Sequence, residues 1–158
     1  MRNRNAFRYG FEFADHSLAR DVLGGYLHSD RTLVFRKAHV ANYWIVDSKN
    51  RIVIAKFGGR LTIAEAEHYA DDLRNNTAFD PSFSELSDLT EVENPQIDYA
   101  SAVRIARYID PFSHEARRAI VAPRRSVYEV ARMYQLIRND ENIFLFKTID
   151  EARDWLGL

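Results

Sequence analysis

From Tyr43 onward, apolar residues recur in two alternating rhythms: short β-favouring runs, and longer stretches with helical spacing. Ile63, Ala66, Tyr69, Ala70 and Leu73 share one face of a helix. Val127, Val130, Tyr134 and Ile137 form a second stripe, and Ile149, Ala152, Trp155 and Leu156 a third. Each stripe follows a capping-box signature, a Ser or Thr with Glu three residues later: Thr62 with Glu65, Ser126 with Glu129, Thr148 with Glu151. A fourth helix is predicted over 99–109, where Ala102, Val103, Ile105, Ala106 and Ile109 line up and Pro111 closes the run.

Strand-length runs lie between these helices. Residues 43–46 and 51–57 flank Asp47-Ser48-Lys49-Asn50, whose turn chemistry predicts an antiparallel hairpin. Three further strands are predicted at 83–89, 118–122 and 143–147, each separated from the next by a helix. The order β-β-α-β-α-β-α-β-α predicts an α/β domain with a mixed, mostly parallel sheet, an antiparallel edge hairpin and about four helices. Gly58-Gly59 reads as a tight turn, because its spacing fits neither phosphate-binding glycine fingerprint. Residues 1–38 read as an N-terminal extension to a domain at 39–158: Leu18, Val22 and Leu23 fit a short helix and Thr32 to Phe35 a strand, but Gly24-Gly25 interrupts.

Composition narrows the function classes. The chain of 158 residues is 46% hydrophobic and 28% charged, a packed globule rather than a disordered segment. A formal net charge of −1 argues against nucleic acid as a partner, whose affinity rests on a basic surface. Charge is uneven nonetheless: residues 1–38 carry seven Lys/Arg against four Asp/Glu. With no cysteine, the sequence excludes a thiolate metal site, a disulfide framework and a cysteine nucleophile, and it suits a reducing compartment. The longest apolar runs are strand-length, and the N-terminus lacks the apolar core of a signal peptide. A soluble, cytoplasmic protein without a membrane span is expected.

Several phrases in 39–158 resemble the STAS-like (SpoIIAA-like) family, which includes anti-sigma-factor antagonists, sulfate-transporter tails and many bacterial domains. They are Gly58-Gly59-Arg60-Leu61-Thr62, the strand from Ser84 to Val92, the strand from Arg117 to Pro123, and the closing stretch from Thr148 to Leu156. The resemblance implies a SpoIIAA-like fold and a non-enzymatic regulatory or ligand-binding module, acting on a protein partner or on a small apolar or anionic ligand. In anti-sigma-factor antagonists the helix after the Asp-Leu strand opens with Asp-Ser-Ser-Gly, and a serine there is phosphorylated to release the partner. Here the stretch is Asp98-Tyr99-Ala100-Ser101, so Tyr99 and Ala100 stand at the serine positions and Ser101 at the glycine. Phosphorylation of Ser101 would be out of register with the family's switch.

Catalytic signatures are scarce. The five histidines lack metal-ligand spacing, and no nucleophile elbow occurs. No cofactor is expected. Arg117-Arg118 before one strand and Arg124-Arg125-Ser126 after it, at a helix start, form a candidate anion site; the alternative is pairing with acids such as Glu115 and Glu129. The aromatics Tyr69, Phe79, Phe83, Tyr99, Tyr108, Phe112, Tyr128 and Tyr134 are either core or the lining of an apolar cavity. The working surface is placed at 88–101 and 124–128, with Asp88, Thr90, Asp98, Tyr99, Ser101, Arg124, Arg125, Ser126 and Tyr128 as ligand or partner contacts. Two alternatives stand beside this reading: a small hydrolase-like enzyme using Asp88, Asp98 or His114, and an oligomerisation module, for instance a homodimer, with 1–38 as its arm.

Overall fold

The computed structural model describes residues 42–158, so the 1–38 extension and its role lie outside the described residues. Strands β1 (Tyr43–Asp47), β2 (Ile52–Thr62), β3 (Ser84–Gln96), β4 (Arg118–Val121) and β5 (Ile143–Phe146) form one sheet in the order β1-β2-β3-β4-β5. The β1–β2 pair is antiparallel and the other three pairs are parallel. Helices α1 (Ile63–Arg74), α2 (Tyr99–Arg104), α3 (Arg125–Arg138) and α4 (Ile149–Leu156) complete the α/β architecture.

Strand order equals chain order, so every parallel crossover steps the same way across the sheet. With the usual right-handed crossover, α1, α2 and α3 must then lie on one face. The packing agrees. Val53, Ala55, Phe57, Leu89 and Ile120 of the sheet bury against Tyr69 and Leu73 of α1 and Val127 and Ala131 of α3. Leu86, Ala119 and Val121 point the opposite way and meet Ala152 and Trp155 of α4. Strand alternation thereby assigns Glu85, Ser87 and Leu89 to the three-helix face, and Leu86 and Asp88 to the α4 face. No reversal of strand order exists to open a crevice at the strand ends, the usual ligand position in doubly wound sheets.

Local chemistry explains most element boundaries. Thr62 and Glu65 form a reciprocal capping box on α1, as do Thr148 and Glu151 on α4. The β1–β2 turn closes with Asp47 Oδ1 accepting from the Asn50 amide at 3.0 Å. Three expectations are corrected. Ser126 does not cap α3: the helix opens two residues earlier, with Arg124 at the N-cap and no side-chain cap, and Glu129 pairs with Arg125 at 2.9 Å instead. Gly58-Gly59 is not a tight turn, because β2 continues through it, pairing Gly58 with Glu91 and Gly59 with Val92. Register shifts on either side of the glycines, and a φ of 64° at Gly59, show a strand irregularity that a residue without Cβ accommodates easily. Both β2 and β3 consequently run well past their predicted ends. The helix over 99–109 also changes form midway, with α2 passing into a π-helical turn at Ile105–Ile109.

Candidate functional site

Between the sheet and the three-helix layer lies a cavity of about 130 Å³. Its walls are Phe57 and Leu61 of β2, Leu89 of β3, Ala66 and Ala70 of α1, Ala102 of α2, Val130 and Ala131 of α3, and Ile105 and Ile109 of the π-turn. π-turns within helices concentrate at functional sites, and this one forms part of the cavity wall. Its carbonyl end is held by two arginines: Arg74 donates to the Ile109 carbonyl, and Arg138 to Ala106 at 3.2 Å.

The cavity surface is almost wholly apolar, and directly behind one of its walls lies a buried polar cluster. Glu85 and Arg118 stand directly opposite each other on β3 and β4, and both are buried. Arg118 Nε donates to Glu85 Oε2 at 2.7 Å, and its Nη2 forms an ion pair with the same oxygen at 2.6 Å. Tyr69 and Ser87 hydroxyls donate to Glu85 Oε1 at 2.6 and 2.8 Å. Arg118 Nη1 reaches Asp110 Oδ2 at 2.7 Å and also the Tyr134 hydroxyl, which itself donates to Asp110. Arg138 Nε stands 3.2 Å from the same Asp110 oxygen, an ion pair without hydrogen-bond alignment. Two carboxylates thus face two guanidiniums.

The electrostatics follow from this closure. Burial, and then the Glu85 carboxylate, push the Tyr69 phenol well above its ordinary pKa. Burial also raises the Tyr134 phenol, against the opposing pull of Arg118. At Asp110 burial works against ionisation, but Arg118, the Tyr134 hydroxyl, the Phe112 amide and Arg138 together hold the carboxyl below its ordinary value of 3.8. Both tyrosines therefore stay protonated donors at neutral pH, and Asp110 stays ionised.

A depressed folded-state pKa means that the unfolded chain takes up the proton first as pH falls. Stability contributed by ionised Asp110 is complete above the unfolded value of about 3.9 and is lost as pH drops through the lower folded value. Asp110→Asn is expected to reduce stability at neutral pH and to flatten its decline in acid. Urea midpoints taken between about pH 5 and pH 2 check this, since the wild type should fall more steeply there.

The sequence-derived contacts are dispersed. Asp88 is buried on the α4 face, where it accepts the Thr90 amide at 2.9 Å and meets Lys56 at 3.3 Å. Asp98 caps α2 by accepting the Ser101 amide at 2.8 Å. Arg124, Arg125 and Ser126 are exposed at the start of α3. Beyond these local contacts, Tyr99 and Tyr128 come together in a surface groove with Met133, Leu136 and Ile137 between α2 and α3. The arginines separate because adjacent strand residues face opposite ways. Arg118 turns into the interior, whereas the Arg117 guanidinium lies 4.3 Å from the ring centroid of Trp155 on α4. Of the eight aromatics, Tyr69 and Tyr134 line the cavity; Phe79 packs edge-to-face with Phe83 and Phe112.

Sequence reasoning missed Glu85, Ser87, Asp110 and the inward role of Arg118. One signal was present: Glu85 and Ser87 occupy alternate positions of a strand together with Leu89, a polar pair on a face that the pattern assigns to the core. Among the described residues no cluster of three or more His, Asp or Glu could hold a metal ion. None of their helices is long and apolar enough to cross a membrane. Compared with known proteins, the chain matches no family, no curated protein and no solved structure.

Proposed function

We propose that the domain is a SpoIIAA-like (STAS-like) module that acts by binding rather than catalysis, and that its ligand occupies the cavity between the sheet and α1–α3. The observation that carries this reading is an apolar cavity between the sheet and the helices, backed by a buried hydrogen-bonded network; small-molecule sites are predominantly apolar cavities of this kind. The mixed sheet with its antiparallel edge pair supports the fold assignment, and the lack of cysteine suits a cytoplasmic setting. Non-catalytic action is favoured by the closed network, in which Glu85 and Asp110 are both engaged by cations and neither is left as a base. The groove at Tyr99, 68% exposed, and Leu136, 61% exposed, supports a protein-partner form of the same reading.

Native mass spectrometry and thermal unfolding test the proposal. A small apolar compound such as toluene, held at about ten times its Kd, should stabilise the protein by about 1.4 kcal/mol, a rise of about 4–8 °C in Tm. Ala102→Leu, which fills the cavity from α2, should abolish that rise while leaving the protein folded. A bare mass in the native spectrum, together with no thermal response to any small apolar compound, would overturn the cavity reading.

A further inference from the structure

Resting on the protein-partner form of the proposed reading, we infer that the groove between α2 and α3 receives an acidic amphipathic helix of another protein. Shape, apolar exposure and charge each contribute to that assignment.

Tyr99 of α2 and Tyr128, Met133, Leu136 and Ile137 of α3 give the groove a surface that is almost wholly apolar. Tyr99 and Leu136 are largely exposed, and apolar patches rimmed by polar groups mark interaction sites. From Tyr128 to Leu136, α3 runs about 12 Å along its axis, the length of roughly two turns of a helix laid beside it. A partner helix of that length offers apolar anchors at i, i+3, i+4 and i+7.

Charge selects the kind of helix. Among the described residues, Arg132 and Glu129 are the charged groups lining the groove, and Glu129 is already paired with Arg125 at 2.9 Å. Arg132 donates to the neutral Gln135 side chain at 2.6 Å, and Lys147 Nζ stands 5.4 Å from the Tyr128 ring centroid. Neither cation meets a carboxylate among the described residues. Two unmatched positive charges therefore border an apolar groove, on a domain whose residues 39–158 carry fifteen Lys/Arg against nineteen Asp/Glu. Carboxylates flanking the apolar stripe of an amphipathic helix complement that rim. A second copy of this chain does not, because a two-fold contact would set the basic rim against itself. An anionic bilayer is disfavoured by the concave shape and by the excess of acid on the rest of the domain.

The test is amide NMR on the isotopically labelled full chain with three end-capped peptides. One carries leucines at i, i+3, i+4 and i+7 with glutamates between them, the second has lysines in place of the glutamates, and the third scrambles the first so that its stripe is lost. At about 1 mM, the acidic helix is expected to shift the signals of Tyr99, Tyr128 and Leu136, to bind about tenfold more tightly than the lysine peptide, and to weaken as salt is added. Arg132→Glu should remove the preference for the acidic peptide, and Leu136→Asp should abolish binding, both with unchanged near-UV circular dichroism. If the lysine peptide or the scramble binds as tightly as the acidic helix, the acidic-helix inference fails and the groove remains a partner surface. Vesicles of equimolar phosphatidylcholine and phosphatidylglycerol should leave these signals unchanged; broadening would assign the groove to a membrane and overturn the inference. A concentration-dependent dimer that Leu136→Asp dissociates would assign it to a second copy, with the same consequence. If no peptide moves the groove signals, the protein-partner form fails as well, while the response of the cavity to toluene stands or falls separately.

Discussion

Arg118→Met is expected to lower the unfolding free energy by about 3–5 kcal/mol, a large share of the roughly 5–15 kcal/mol available to a domain of this size. The side chains of Arg118 and Glu85 are 7% and 1% exposed, so removing the cation strands a carboxylate where water cannot reach it. Tyr69 and Ser87 would still donate to Glu85, but two neutral hydroxyls do not replace a charge-assisted bond from the guanidinium. Asp110 would keep Arg138 and lose its shorter contact. Urea unfolding measures the loss. Adding Glu85→Gln to Arg118→Met should recover part of it, because the stranded charge is gone; a double-mutant cycle gives the coupling. Losing the exposed Arg125–Glu129 pair should scarcely register, since its side chains are 92% and 62% exposed. A buried ion pair of this kind contributes little net stability compared with a well-packed apolar substitute.

Phe57→Ala is expected to cost about 3–5 kcal/mol, through lost burial and an enlarged void. Phe57 is 5% exposed on β2, and its ring meets Tyr69 edge-on at 5.4 Å and Trp44 at 6.5 Å. Because Phe57 also lines the cavity, its truncation enlarges the ligand space instead of creating an isolated hole. A larger apolar compound such as naphthalene should then recover some of the lost Tm in the variant and do nothing for the wild type. Thermal unfolding measured with and without the compound checks both halves. Equal responses in the two proteins would show that Phe57 does not bound the ligand space.

Local order was legible from sequence wherever its cause lies within a few residues. The capping boxes at Thr62 and Thr148 form as their Ser/Thr-x-x-Glu spacing predicts, because the reciprocal bonds span only three residues. The Asp47–Asn50 turn and the antiparallel pair it joins are equally local. Ser126 and Glu129 carry the same spacing yet form no box, since the helix start was set two residues upstream. The extra length of β2 and β3 was hidden for a related reason. Gly58 and Gly59 disfavour a strand on their own and are held in one by pairing with Glu91 and Val92, more than thirty positions away.

The site shows where such reading stops. Arg118 and Asp110 lie 33 and 25 residues beyond Glu85, and nothing local relates them. They meet because β3 and β4 are parallel neighbours in a register that sets Glu85 against Arg118, and because the π-turn brings Asp110 over the same face. The sequence by itself determined the alternation of strands and helices, the hairpin, two of the helix caps and hence the α/β class, all of them products of short-range backbone chemistry and side-chain period. Only the tertiary structure decided which of two adjacent arginines faces inward, that three helices share one face, and that a neutral polar network borders an apolar cavity. Those outcomes depend on strand order and register, which bring together residues that the chain itself keeps far apart.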